Sequence, residues 1–376
     1  MEKIIVNAKG FKKGLATLKT LKAKKNDIDL LNFSVSKNQL TVTRYVQAGI
    51  DEQTSVSVTF LGADALENTD LTIATKDNLK RIIDCTALSD ETTIEFSEYE
   101  LSVNGFNFAK VESDYNDIDF EAKEKISFNT KDFQNAIKKC VNAIDKNQSA
   151  RNILRNVLIK IDNGTADFLA TDSHILAKVE KIACDNKNNF DIYLNVANNS
   201  DKAIAKLKGD NLELYFRESN SKKYISITDG FTTITNVTEN GNYPDLERLI
   251  PYKNDLVVQF DKKEFLSILK ACGKRFHFGI DIKENKSDLL VIDEYKSTVE
   301  NKIEFNTSII DGTIDNRFTI FFTKKFAEKV FSIIDSNTIQ MNLFGMLRPA
   351  TIIDGDTTAL IALGRPDEKL KDELGL

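Results

Sequence analysis

The feature that most limits what this chain can fold into is an internal repeat. Val6-Asn7-Ala8-Lys9-Gly10-Phe11, followed by Leu15 and Leu18, returns as Phe128-Asn129-Thr130-Lys131-Asp132-Phe133 with Ile137, and again as Phe260-Asp261-Lys262-Lys263-Glu264-Phe265 with Leu269. Each segment has a short alternating strand, a polar residue able to cap a helix, and apolar residues three or four apart, the pattern of a strand feeding an amphipathic helix. A fainter copy sits midway through each unit, at 71–83, at 192–207 and, most clearly, at Phe322-Thr323-Lys324-Lys325-Phe326 with Val330, Phe331 and Ile334. Two or three strand-like stretches follow every helix, as at 93–96 with 100–108 and at 212–216 with 223–228. Strand, helix and further strands thus recur six times, an order that chance matches in a Phe-rich chain do not explain.

Pairs of units predict three α+β domains, each with two helices against antiparallel sheets, at 1–122, 123–250 and 251–366, with a tail at 367–376. The second boundary falls in Asn242-Tyr243-Pro244-Asp245, a turn signal followed by Pro251. A length of 376 residues allows three such cores, and 24 Phe and 9 Tyr against 4 Pro favour strands over irregular loops. No apolar run approaches the roughly 18 residues of a membrane span, and the opening MEKIIVNAKG lacks the apolar centre of a secretory signal, so a cytoplasmic protein is expected. Cys85, Cys140, Cys184 and Cys272 show no CxxC spacing and read as small core residues.

The net charge of −6 argues at first against a nucleic-acid partner. Its distribution argues the other way. The six helical segments, taken as 9–25, 76–84, 131–155, 201–208, 262–275 and 324–335, carry 27 Lys and Arg against 8 Asp and Glu. Lys favours helices, but Glu favours them equally and is nearly absent, so propensity alone does not produce this asymmetry. An apolar stripe turned inward leaves the basic stripe outward, giving a helix layer suited to phosphates, with acidic strands and loops elsewhere. The candidate phosphate contacts are Lys12, Lys19, Lys24, Lys25, Lys80, Lys138, Lys146, Gln148, Arg151, Lys202, Lys206, Lys270 and Lys274.

If such helices close a ring at a spacing of about 8 to 10 Å, six leave no room for a duplex, whereas twelve leave an opening of about 25 Å. Closure would therefore take two chains joined head to tail. Phe106 and Phe108, on a late strand of the first domain, are candidates for that junction, with ordinary core as their plain reading.

Three ordered motifs carry a family resemblance: Gln148 to Leu158 (QSARNILRNVL), Ala170-Thr171-Asp172-Ser173-His174-Ile175-Leu176-Ala177, and Asn242 to Pro251 (NYPDLERLIP). With the threefold pattern, they make the chain resemble the bacterial DNA polymerase III β subunit, the sliding clamp. The resemblance implies the DNA clamp fold and a homodimeric ring that encircles double-stranded DNA without reading its sequence. It also implies a clamp loader, a replicative DNA polymerase and other clamp-binding-motif proteins as partners, with no enzyme activity, cofactor, metal or membrane. Carried onto matching positions, the family's peptide pocket would be lined by Leu154, Thr171, Ser173, His174, Leu176, Pro244, Arg248, Leu249, Ile361 and Leu363.

This sequence departs from the family at Ser173, where Gly is usual, and at Ile175, where Arg is usual. Thr41-Val42-Thr43-Arg44-Tyr45 replaces an Asp-containing strand, and the chain continues from Gly364 to Leu376. Glu373-Leu374-Gly375-Leu376 resembles part of a clamp-binding peptide able to fill a pocket, against the commoner outcome of a frayed end. An Asp172–His174 acid–base pair is disfavoured, since residues two apart on a strand face opposite ways and no nucleophile motif stands near. The only other histidine, His277, reads as structural, and neither His has a Cys neighbour for a metal. A β-rich structural or surface protein with merely solvated basic helices is the rival reading.

Overall fold

The computed structural model describes residues 2–376 apart from 37, 49–51, 63–68, 77, 87–89, 113–121, 148–150, 220–221, 240, 273–275, 294 and 315–317. One strand, one helix and three strands follow each other six times. The first repeat is β1 (Glu2–Asn7), α1 (Ala8–Leu18), β2 (Ile28–Ser36), β3 (Gln39–Ala48) and β4 (Glu52–Leu61). The second is β5 (Thr69–Ala74), α2 (Asn78–Cys85), β6 (Glu91–Phe96), β7 (Glu100–Val103) and β8 (Phe106–Ala109). The third is β9 (Glu124–Asn129), α3 (Thr130–Asn142), β10 (Asn156–Asp162), β11 (Thr165–Thr171) and β12 (Ile175–Ala183). The fourth is β13 (Phe190–Asn195), α4 (Ser200–Ile204), β14 (Asn211–Ser219), β15 (Lys222–Thr228) and β16 (Thr232–Glu239). The fifth is β17 (Leu256–Asp261), α5 (Lys262–Ala271), β18 (Phe276–Ile282), β19 (Lys286–Asp293) and β20 (Thr298–Gly312). The sixth is β21 (Phe318–Thr323), α6 (Lys324–Ile333), β22 (Thr338–Leu343), β23 (Ala350–Asp354) and β24 (Thr357–Ile361), after which the chain ends in α7 (Glu368–Leu374).

The repeated residues explain the repeated form. Asn7 caps α1 by accepting from Gly10 N at 2.9 Å, and Asp261 caps α5 by accepting from Glu264 N at 2.7 Å, each meeting a backbone donor that the first helical turn leaves free. Four residues past each cap, Phe11, Phe133 and Phe265 point into the core and are fully buried. Phe265 packs among Phe260, Phe305 and Phe331, with ring centroids 5.1 to 5.5 Å away. Gly14 has a steric reason: a Cβ there would stand 2.4 Å from the Phe60 ring, which packs edge-on to Phe11.

Neighbouring repeats exchange their leading strands. β1 pairs with β6 of the second repeat, while β5 pairs with β2 of the first. β9 pairs with β14 and β13 with β10; β17 pairs with β22 and β21 with β18. A repeat alone would therefore lack strand partners, and two are needed to close its backbone hydrogen bonds. Every one of these ladders is antiparallel.

The chain divides into two compact units, residues 1–135, 155–166 and 182–242 in the first, 136–154, 167–181 and 243–376 in the second. The first holds the sheet β1-β6-β7-β8 and the sheet β5-β2-β3-β4-β16-β15-β14-β9, in which β4 and β16 join the first two pairs of repeats. In the second, strands run β12-β24-β23-β22-β17-β20-β19-β18-β21, with β12 and β24 as the corresponding joint. No helix among the described residues is long and apolar enough to cross a membrane.

Several helices are shorter than the sequence predicts, α1 and α3 by the most. α1 stops at Leu18 rather than near residue 25 because Arg44 ends it: its Nη1 donates to Leu18 O and Leu21 O at 3.1 and 3.0 Å, while Nε and Nη2 pair with Asp29 at 2.9 Å. The guanidinium thus adds a donor to Leu18 O, which Leu21 N also meets, and supplies one to Leu21 O beyond the helix end. α3 stops at Asn142, and a separate 3-10 turn at Asn152–Arg155 leads into β10. Lys24, Lys25, Lys146 and Arg151 consequently lie outside helices. Cys85 and Cys140 are core residues as expected, whereas Cys184 and Cys272 are only half-buried.

The tail is neither frayed nor lodged among the predicted pocket residues. Asp367 caps α7 by accepting from Leu370 N at 2.9 Å, and Gly375 ends it in the left-handed conformation. Leu370 and Leu374, one turn apart, are buried against Leu290, Ile292 and Phe321. Amphipathic spacing, overlooked at 367–376, accounts for this outcome.

Candidate peptide site and basic surface

In the second unit, Asp172, Ser173 and His174 form the tight turn between β11 and β12, correcting the single strand assumed from sequence. Asp172 Oδ1 accepts from His174 N and Ile175 N, both at 3.0 Å. Thr171 Oγ1 donates to Ile175 O at 2.6 Å and accepts from Ser173 N at 3.0 Å. Ser173 sits at φ +80°, the region that favours glycine, which explains physically why Gly suits this position. The side-chain hydrogen bonds offset a backbone strain of about 1 kcal/mol.

α6 holds this turn from one side. Lys329 Nζ reaches Asp172 Oδ2 at 3.1 Å and Ile144 O at 3.4 Å, and Phe326 stacks on the His174 ring at 4.6 Å between centroids. Asp172 is 6% exposed, so Lys329 supplies the charge partner that a buried carboxylate requires. Just past β24, Ala362 N donates to His174 O at 2.7 Å. Asp172 is saturated by these partners and His174 is fixed against an aromatic ring, an arrangement that shapes a surface rather than moving a proton.

The predicted pocket residues lie on neighbouring elements of this unit. Ile175 faces Ile361 and Leu176 faces Leu360 across the β12–β24 ladder, and Leu154, Thr171, Leu176 and Ile361 are buried. Pro244, Arg248 and Leu249 are exposed around a 3-10 turn at Glu247–Leu249, where Arg248 pairs with Asp245 at 2.8 Å. Lys178 of β12 bridges Glu180 at 2.8 Å and Glu247 at 3.7 Å, tying that turn to the sheet. Its ammonium is raised above the ordinary value: burial lowers it, but Glu180, Asp167 and Glu247 together raise it more.

Only His174 and Leu363 of the ten predicted residues line the cavity of about 420 Å³ found beside the turn. Its other walls include His277, Phe321, Phe326, Arg365 and Leu370. His277 is exposed and lines the cavity. The signal was present, since alternation in Phe276-His277-Phe278 with Phe278 in the core sends His277 to the opposite face.

The first unit has a different concavity, about 660 Å³, between α1, the end of α4 and the turn 229–232. Lys13, Lys206 and Lys208 stand on it. Lys208, within hydrogen-bonding reach of Lys13, holds that ammonium below its ordinary value. Among the described residues lining it, the one carboxylate, Asp229, is occupied by backbone donors: Phe231 N and Thr232 N on one oxygen, Lys208 N on the other. Lys13 and Lys208 were passed over in the sequence because they fall beside stronger repeats of the apolar spacing.

Of the predicted phosphate contacts, Lys12, Lys19, Lys24, Lys25, Lys80, Lys138, Arg151, Lys202, Lys206 and Lys270 are exposed and Lys146 is half-buried, while Gln148 and Lys274 lie outside the described residues. The helical charge count overstates what faces solvent. Lys139 is buried against Asp335 and Thr357, Arg155 is buried against Glu52, and Lys324 and Lys262 donate to main-chain carbonyls. Phe108 is core, with Arg81 above its ring at 5.0 Å, so of the proposed junction pair Phe106 alone is exposed. Among the described residues, no cluster of three His, Cys, Asp or Glu could hold a metal ion.

No protein-family model and no curated relative matches the sequence. Solved structures do match. A DNA polymerase III β subunit from Thermotoga maritima superposes with TM-score 0.82 at 18% identity, over 97% of this chain and 100% of that one. The β subunit from Pseudomonas aeruginosa gives 0.81 at 15%, over 96% and 100%. This chain has the β sliding-clamp fold. A Helicobacter pylori β clamp bound to a DNA ligase peptide also matches, with TM-score 0.77 at 16% identity over 97% and 100%. The clamp fold extends from end to end of both partners in each comparison, and the low identity marks a divergent sequence on a shared scaffold.

Proposed function

We propose that this protein is a DNA polymerase processivity factor: a head-to-tail homodimeric ring that encircles duplex DNA and tethers a replicative polymerase and other partners carrying short peptide motifs. The observation that carries this reading is that clamp structures superpose on 96 to 97% of this chain and are themselves covered to 100%. The reading takes three domains, at 1–122, 123–250 and 251–366, and the strand exchange within each pair of repeats supports it. In this reading the exposed lysines of the helices meet phosphates weakly and without sequence preference, while topology rather than affinity keeps the ring on DNA. A clamp loader opens it. The protein acts by holding partners and carries out no reaction of its own, in the cytoplasm.

The turn at Asp172–His174 and the surrounding Leu154, Thr171, Leu176, Pro244, Arg248, Leu249, Ile361 and Leu363 would receive the peptide. The ligase peptide on the Helicobacter pylori clamp supports this use of the fold. Apolar residues with a few polar groups at the rim suit aliphatic and aromatic anchors.

The test joins mass in solution with retention on DNA. A dimer that stays on nicked circular plasmid in high salt but leaves the same plasmid after linearisation is the expected result. A monomer, or equal loss from both forms, would return the reading to a β-rich protein with solvated helices.

A further inference from the structure

We infer that the hollow of about 660 Å³ in the first unit is a nucleotide site. A terminal phosphate, on a free nucleotide or at the phosphorylated end of a single strand, bridges Lys13 and Lys208 while its base lies on Phe231. This goes beyond the ring reading and does not depend on it, since every residue concerned belongs to one unit of one chain.

The anionic half of the ligand is called for by charge without counter-charge. Lys13 and Lys208 stand within hydrogen-bonding reach of each other, and among the described residues neither ammonium has a carboxylate partner. Asp229 does not serve, because its oxygens are taken up by the Lys208, Phe231 and Thr232 amides. Lys206 Nζ donates to Ala16 O at 2.7 Å, which holds a third ammonium on the wall with two N–H donors left to give. A carboxylate would bring these groups one negative charge, whereas a phosphate monoester at pH 7 brings about 1.5 to 2.

The other half is an aromatic platform on a fixed backbone. Phe231 is 67% exposed, yet its N donates to Asp229 Oδ1 at 3.0 Å and its O accepts from Thr59 N at 2.9 Å. Asp229 also accepts from Lys208 N, so the ring and that lysine are anchored through one carboxylate. An aromatic face beside basic groups suits a stacked base with its phosphate. The helix α1 leaves the room. Phe60 excludes a side chain at Gly14, but a Cβ at Gly10 would have only Asn7 Oδ1 within 4 Å, at 3.4 Å, so packing does not require that glycine. Both glycines line the hollow, whose volume is that of a small-molecule site.

The experiment titrates the full-length protein at low salt, by calorimetry, with ADP, inorganic pyrophosphate, and a short oligothymidylate with or without a terminal phosphate. ADP is expected to bind about tenfold more tightly than pyrophosphate, a ligand of similar charge without a base. Lys208→Gln should weaken ADP about tenfold, and Phe231→Ala about fivefold with pyrophosphate unchanged. Gly10→Leu keeps every charge but fills the hollow, and ADP binding should be lost. If the phosphorylated strand binds more tightly than both ADP and its unphosphorylated twin, a strand end is the ligand, and the same variants should weaken it; otherwise the ligand is the free nucleotide. Equal binding of ADP and pyrophosphate, full affinity in Phe231→Ala or Gly10→Leu, or no binding of ADP and of the phosphorylated strand overturns the site. Lys208, Phe231 and Gly10 are exposed, so thermal melts of the variants should not fall below wild type.

Discussion

The two concavities arise from the same repeated parts yet carry opposite chemistry. The one in the first unit is walled by α1 and the end of α4 and offers ammonium groups crowded enough to depress Lys13. The one in the second unit is walled by α6, β21 and the C-terminal segment and offers phenylalanine rings and imidazoles. Each lies beside a cation that is itself inside the fold, Arg44 ending α1 and Lys329 holding the Asp172 turn. The repeat sets where a hollow forms, and the side chains that escape the repeat decide what it can hold.

Removing Arg44 should break the first region most severely. Arg44→Met leaves Asp29 without its partner and takes a donor from each of the Leu18 and Leu21 carbonyls, so the first unit should lose about 3 to 5 kcal/mol in urea unfolding. Peptide affinity, read in the same protein below the transition, should hold. A loss below about 1 kcal/mol would show that water replaces the guanidinium and that α1 ends for another reason.

Lys329→Met carries the comparison to the second region. It strands a buried Asp172 and loosens the turn that presents His174, and peptide affinity should fall about tenfold, equivalent to about 1.4 kcal/mol. Salt dependence of DNA retention should not move. If DNA retention changed and peptide binding did not, the assignment of one chemistry to each hollow would be reversed.

Ser173→Gly sharpens the same turn in the other direction. Relief at φ +80° should stabilise the protein by about 0.5 to 1 kcal/mol, visible as a raised melting temperature. An unchanged or lowered value would mean that the serine hydroxyl repays its backbone strain.

The smallest effect is expected in the charged hollow. Lys13→Gln and Lys208→Gln should each reduce the slope of log K against log salt for DNA binding by about 0.9, with little change in peptide affinity. No change in slope would mean that these lysines face away from phosphate.

Much of the fold was legible because its signals are local and recur. Asn7, Asp261 and the buried Phe11, Phe133 and Phe265 mark helix starts at matching places, and a cap plus an apolar spacing is visible without knowledge of the whole chain. Helix ends were less legible. The residue that stops α1 is Arg44, two strands away, and no local pattern near Leu18 announces it. The proposed peptide site was read partly by resemblance, and the local geometry was misjudged at Asp172–His174 because a two-residue alternation cannot reveal that an aspartate folds back on its own backbone. The cavity wall was missed for a related reason. Phe326, His277 and Arg365 are far apart in sequence, and only the β18–β21 ladder and the packing of α7 bring them to one place. The charge count failed where lysines turn inward, since Lys139 and Arg155 look in sequence like any other helical cation.

The joints between successive pairs of repeats have one more consequence. β4 meets β16 over six registered residues and β12 meets β24 over five, each a continuous antiparallel seam inside one polypeptide. Prising such a seam apart would bare a row of amides and carbonyls at once, so neither makes a serviceable gate. Each seam should therefore exchange its amide protons late and together, at the rate of its own unit's unfolding rather than of local fraying.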